Sequence, residues 1–415
     1  MDPLLYAHAR KIMEQAIHAV LPDEAVRRAL SAREFSGRVV LVAAGKAAWQ
    51  MAKTAADCLA DRLSAGVVIT KYGHIGGSLP RLRCFEGGHP IPDENSFRGT
   101  QAAIDLVTGL SRDDTVIFLL SGGGSALFEK PLVSGEELQD ITAQLLASGA
   151  DIQEINTIRK RLSGVKGGRF ARLCAPARVF SVVLSDVLGD PLDVIASGPA
   201  YPDRSTCQQA MQIVKKYQLR LSDRAMQLLK QETPHELSNV ETVVTGSVRE
   251  LCSAAAAACR ALGYEPMILT DHLCCQAKEA GSFLASVART HAESTKSLAF
   301  IAGGETVVKL TGQGKGGRNQ ELALAGAEGI SGLCHVALFS VGSDGTDGPT
   351  DAAGGIVDGS SRDELARMGI SIPEVLREND SYHALEKIGG LLITGPTGTN
   401  VNDVSVVLIR GKETI

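Results

Sequence analysis

The chain has 415 residues, 44% apolar and 21% charged, with a net charge of −5. That balance suits a globular protein of two or three domains and supplies no basic field for a nucleic acid. The longest apolar runs, such as VVLVAA at 39–44, fall far short of the roughly 20 residues that span a membrane.

In chain order, apolar runs alternate with amphipathic segments, the pattern of an α/β sheet. The opening MDPLLYAHARKIMEQ reads as helix, not signal peptide, and a first helix is expected over about 4–30. Strands follow at 39–45, 65–71, 115–121 and 179–185, with helices near 47–61, 97–110 and 135–149. These strands are continuously apolar, which predicts a parallel sheet covered on both faces. Residues 205–232 read as helix, and the polar, proline-containing 233–241 marks a domain boundary. Beyond it lie strands at 241–246, 265–270, 297–310, 335–342 and 404–409, with helices near 249–262, 274–293 and 319–329. The second domain is therefore also α/β, with room for a mixed sheet. Nine cysteines without a CxxC pair are expected as reduced thiols in a cytoplasm.

Ligands of open α/β sheets bind beyond the carboxyl ends of the strands, so the residues after each strand carry the functional signal. Gly45-Lys46 follows the first strand and opens a helix, where the helix dipole disfavours a lysine. A solvated lysine and a ligand contact are both open there. Ser121-Gly122-Gly123-Gly124-Ser125 follows the third strand. Backbone amides that wrap an anion explain its three glycines better than a sharp turn alone, which stays open as the alternative. Arg159, Lys160, Arg161, Lys166 and Arg169 fall within eleven residues, either as a solvated helix face or, past Gly167-Gly168, as loop cations. Asp186 ends the next strand, with Asp190 and Asp193 behind it. Carboxylates so placed suit a hard cation or a general base, and turn capping is the alternative for the latter two. His89, in GGHPIPDENS, is as much a structural histidine as a catalytic one.

Two glycine loops near the C-terminal end, GQGKGGRNQE (312–321) and SDGTDGPTDAAGG (343–355), complete the set. The first places Lys315 and Arg318 among glycines after a strand-like VVKL. The second carries Asp344, Asp347 and Asp351. Amides and cations beside carboxylates are what a phosphate and its Mg²⁺ require. Gly312, Gly314 and Gly317 also form a GxGxxG, a weak signal outside a βαβ unit, and no GxxxxGK[ST] is present.

Taken together, AAGKAAWQMA, GGHPIPDENS, SGGGSAL, NTIRKRLSGVKGGR, SDVLGDPLDVIASGP, GGETVVKLTGQGKGGRNQE and SDGTDGPTDAAGG resemble the glycerate 2-kinase family, the class with a C-terminal MOFRL domain. GPTGTNVNDVSVVL (395–408) extends the match to the end of the chain. The resemblance implies a Rossmann-like N-terminal domain (1–240), a smaller α/β domain with a mixed sheet (241–415), and an active site in the cleft between them. It further implies phosphorylation of D-glycerate to 2-phosphoglycerate with ATP and Mg²⁺. Lys46, Asp186 and Arg318 match the family's proposed catalytic set. Ser121, Gly122, Gly123, Gly124, Ser125 and Lys315 are the expected nucleotide contacts, and Asp186, Asp190 and Asp344 the metal candidates. A homodimer is left open, and no nucleic-acid or membrane partner is expected. An NAD(P)H-dependent hydroxypyruvate reductase is the alternative activity.

Overall fold

The computed structural model describes residues 1–31 and 33–411. The chain folds as two compact units, Ala25–Thr245 and a second made of Met1–Glu24 with Gly246–Ile415. This differs from a simple cut near 240, because the N-terminal helix Pro3–Ala19 belongs with the C-terminal half. Its apolar stripe of Leu5, Ala9, Ile12, Met13 and Ala16 is buried there, and Asp2 caps it by accepting from the Leu4 and Leu5 amides. The single helix expected over 4–30 is two helices, the second spanning Pro22–Leu30, because Pro22 stops the first and starts the next.

In the first unit, strands β1 (Val39–Ala44), β2 (Leu63–Lys71), β3 (Leu82–Gly87), β4 (Thr115–Leu120), β5 (Arg178–Leu184) and β6 (Val240–Gly246) form one sheet in the order β3-β2-β1-β4-β5-β6. The pairs from β3 through β5 are parallel. β1 and β4 are buried at every position, as continuous apolar strands between helical layers must be. The strand order reverses between β1 and β4, so the loops that leave these two strands flank the sheet's switch point. Two strands depart from the sequence reading. β3 is a half-exposed edge whose alternating RLRCFE carries no apolar run, so it was not expected. β6, assigned to the second domain, is instead the far edge of this sheet. The segment 205–232 is two helices, Cys207–Tyr217 and Asp223–Leu229, separated at a left-handed Gln218.

The second unit holds β7 (Glu265–Leu273), β8 (Leu298–Gly304), β9 (Val336–Gly342), β10 (Gly354–Asp358), β11 (Leu391–Leu392) and β12 (Asp403–Ile409), ordered β11-β10-β9-β12-β8-β7. β7 and β8 are parallel, whereas β12 runs antiparallel to both β8 and β9, giving a mixed sheet. The strand expected over 297–310 ends at Gly304, which lies against the Leu273 backbone, and VVKL is not a strand. Only Val307 makes an isolated bridge, to Gln276. No helix among the described residues is long and apolar enough to cross a membrane, and all nine cysteines are free thiols.

Candidate active site

The loops at the switch point interlock through backbone. Gly45 leaves β1 with φ of 125°, and a Cβ there would lie 2.3 Å from Ser121 Oγ. Ser121 Oγ in turn accepts from the Ala47 amide (3.1 Å), and the Lys46 amide donates to Gly122 O (2.8 Å). Lys46 is thereby fixed just ahead of the helix Ala48–Leu59, with its carbonyl accepting from Thr70 Oγ1 (3.2 Å).

The side chains around the glycines converge. A Cβ on Gly122 would fall 2.3 Å from Asp186 Oδ2, and one on Gly123 would fall 3.0 Å from His89 Cδ2 and 3.2 Å from Lys46 Cγ. Lys46, His89 and Asp186 therefore ring the Gly122–Gly123 turn, where a methyl group would displace them. The amides of Gly122 and Gly123 have no hydrogen-bond partner among the described residues. Those of Gly124, Ala126 and Leu127 are taken within the turn by Ser121 O and Gly123 O. The helix that follows, Gly124–Leu127, is a single turn, so any anion cradle here rests on the two amides rather than on a helix dipole.

The turn is braced by the basic segment 159–169. The basic run 159–169 is no solvated face: Lys160, Arg161 and Lys166 are buried. Lys166, fully buried, donates to Ser125 O (2.8 Å) and Phe128 O (3.0 Å) and pairs with buried Glu129 (3.1 Å). Burial pulls its pKa down to about 8 against the pull of Glu129. Arg159 also donates to Ser125 O (3.2 Å). Lys160 pairs with Asp203 (3.1 Å), and Arg161 reaches Ser205 and Glu232. Such charges stay buried because each has carbonyl or carboxylate partners. Gly167 and Gly168 donate to Ser197 O and Gly198 O. They hold a left-handed turn at Ala196, Ser197 and Gly198, and the Ala196 Cβ would lie 2.9 Å from a Cβ on Gly124.

In the second unit, Arg318 is the first residue of the helix Arg318–Ile330. It donates through Nε to Asp403 Oδ2 (2.6 Å), through Nη2 to Asp403 Oδ1 (3.1 Å) and through Nη1 to Glu305 Oε1 (2.9 Å). Burial opposes its charge, but the bonds to Asp403 and the field of Glu305 raise its pKa above the ordinary arginine value. Three of its five N–H groups are thus used for orientation. Asp403 and Glu305 carried no signal in the sequence beyond their places at the ends of β12 and β8. Asp347, 2% exposed, caps the same helix by accepting from the Asn319 (3.1 Å) and Gln320 (2.9 Å) amides. Burial pushes its pKa up to about 7, against the helix amides.

The glycines of 312–317 do not stand open for a ligand. A Cβ on Gly312 would meet the Glu378 backbone at 2.3 Å, one on Gly314 the Asp380 Cβ at 2.5 Å, and one on Gly317 the Asp347 carboxylate at 2.2 Å. They are small because another segment of the chain lies against them. The Lys315 ammonium sits 4.0 Å above the Tyr382 ring, whose hydroxyl donates to Asp351 (2.8 Å). Asp344 accepts from the Thr346 amide (3.0 Å). Lys46, the 121–125 loop, Asp186 and Asp190 belong to one unit; Lys315, Arg318 and Asp344 belong to the other.

Among the described residues no group of three His, Cys, Asp or Glu side chains could hold a metal ion. A cation arriving on phosphate oxygens needs only one or two carboxylates. Asp186 at the glycine turn and Asp190, whose buried Oδ1 has no hydrogen-bond partner, fit that demand.

An open parallel sheet with charged side chains and glycine amides at its switch point defines a ligand-binding α/β protein. Residues 8–230 match a domain of unknown function (DUF4147), and residues 298–403 match the MOFRL family. The chain is 52% identical to D-glycerate 2-kinase of Thermotoga maritima over 97% of both chains. It is 41% identical to glycerate 2-kinase of Pyrococcus horikoshii over 97% of both. A crystal structure of glycerate kinase from Thermotoga maritima superposes with a TM-score of 0.94 at 52% identity, covering 98% of this chain and 99% of that one. The chain belongs to the glycerate 2-kinase family with a C-terminal MOFRL domain.

Proposed function

We infer that the protein phosphorylates D-glycerate on its 2-hydroxyl with ATP as donor, Mg²⁺ accompanying the nucleotide. The observation that carries the reading is the meeting of Lys46, Asp186 and two unpartnered glycine amides at the sheet's switch point, in a chain of this family. Phosphoryl transfer asks a protein for positioning and charge neutralisation more than for covalent chemistry. In this reading the Gly122 and Gly123 amides and Lys46 hold phosphate oxygens, Ser121 and Ser125 frame the same turn, and Asp186 orients the glycerate hydroxyl and accepts its proton. Mg²⁺, when bound, supplies charge neutralisation on the phosphates, with Asp186 and Asp190 the carboxylates nearest to hand. Arg318 presents its two remaining N–H groups to substrate oxygens, and Lys315 adds positive charge from the same loop.

The reductase alternative needs a dinucleotide fingerprint in a strand–turn–helix unit. Gly312, Gly314 and Gly317 follow no strand and pack on 378–380 and Asp347, so nothing in this geometry supports it. The test is ADP release on incubation with D-glycerate, ATP and Mg²⁺. Activity is expected in the intact chain and a loss of 10²-fold or more in Asp186→Asn, the scale of a positioned base. Oxidation of NADH by hydroxypyruvate without ADP release would overturn the reading.

A further inference from the structure

His89 shares the Gly122–Gly123 turn with Lys46 and Asp186. A Cβ on Gly123 would lie 3.2 Å from both His89 Nε2 and Lys46 Cγ, so ring and lysine stem flank the same residue. The ring is half-buried, and neither of its nitrogens has a hydrogen-bond partner among the described residues. The ring nitrogens are not among the buried unpartnered atoms, so they are open to an incoming ligand.

Its loop is rigid. Asp93 accepts from the Ser96 amide (2.9 Å) at the start of the helix Glu94–Val107, and Tyr72 donates to Asp93 Oδ2 (2.6 Å). Gly88 is small because Ile91 O would lie 2.4 Å from its Cβ. The imidazole is thus presented by a tied loop rather than by a mobile arm. Burial lowers its pKa first, and Lys46, Lys71 and His74 lower it further, which favours the neutral ring with its one N–H. Asp186 flanks the neighbouring glycine, its Oδ2 2.3 Å from where a Cβ on Gly122 would stand.

We propose that His89 is a substrate-contacting residue that donates a ring N–H hydrogen bond to an anionic oxygen held over the Gly122–Gly123 turn. That oxygen belongs either to the glycerate carboxylate or to a phosphate of the nucleotide, and the inference rests on the kinase reading above.

Two measurements test it together. In the full-length protein with 15N-labelled histidine, one ring signal should vanish in His89→Asn and, in wild type, should shift on adding D-glycerate or MgADP. The ligand that moves it identifies the oxygen's source. In steady-state kinetics, His89→Ala should lose on the order of 10²-fold in kcat/KM, mainly through the KM of that same ligand, without a lower Tm; His89→Asn, which keeps an N–H, should recover part of the loss. A ring signal indifferent to both ligands, or wild-type kinetics in His89→Ala, overturns the proposal. A signal that shifts in a protein releasing no ADP would leave His89 in place and remove the kinase reading instead.

Discussion

The two glycine-rich loops look alike in sequence and differ in what their missing side chains make room for. At 121–125, a Cβ on Gly122 or Gly123 would strike Asp186, His89 and Lys46, which are flexible, charged or polar ends of side chains. At 312–317, a Cβ would strike the backbone of 378 or the Asp347 carboxylate that caps the next helix. The first loop leaves space among reactive groups. The second is a packing joint that aims one residue, Arg318, through Asp403 and Glu305. A glycine run beside cations is therefore not by itself a phosphate cradle.

This contrast can be broken at several points. The largest effect is expected beneath the first loop, where Lys166 and Glu129 are both fully buried. Lys166→Met strands the Glu129 carboxylate and should cost about 3–5 kcal/mol in urea unfolding, while the added change Glu129→Leu should recover most of it. A cost below about 1 kcal/mol for the single change would show that the pair does not brace the loop. Next comes Arg318→Lys, which keeps the charge but cannot fork onto Asp403. Turnover should fall about 10²-fold, with Tm little changed; wild-type kcat would retire Arg318 from the reaction.

The smallest effects sharpen the comparison most. Gly122→Ala has no backbone strain to pay for and should mainly push the Asp186 carboxylate aside, lowering kcat by up to about 10²-fold at nearly constant Tm. Gly312→Ala collides with backbone and should lose about 1–3 kcal/mol of stability. Equal Tm losses in the two variants would mean that both loops are packing joints.

Much of this was legible before the fold. β1, β4, β5, β9 and β12 announce themselves as continuous apolar runs, and Lys46, Ser121 and Asp186 stand where such runs end. What was not legible depends on partners distant in sequence. The run 159–169 reads as a wet helix face because nothing local reveals Glu129, Asp203 or the Ser125 carbonyl that neutralise it. Edge strand β3 lacks an apolar run because one side meets water, and β10 is five residues, two of them glycine. Arg318 was singled out, but the carboxylates that orient it come from 13 residues upstream and 85 downstream in the chain. His89 could not be separated from a loop histidine until Lys46 and Gly123 were seen beside it.

Phosphoryl transfer to the 2-hydroxyl of glycerate can be read from phosphorus NMR of the product formed from D-glycerate, ATP and Mg²⁺. The expected product carries a phosphate coupled to the single proton of C2. A phosphate coupled to the two protons of C3, or no phosphorylated glycerate at all, would contradict it.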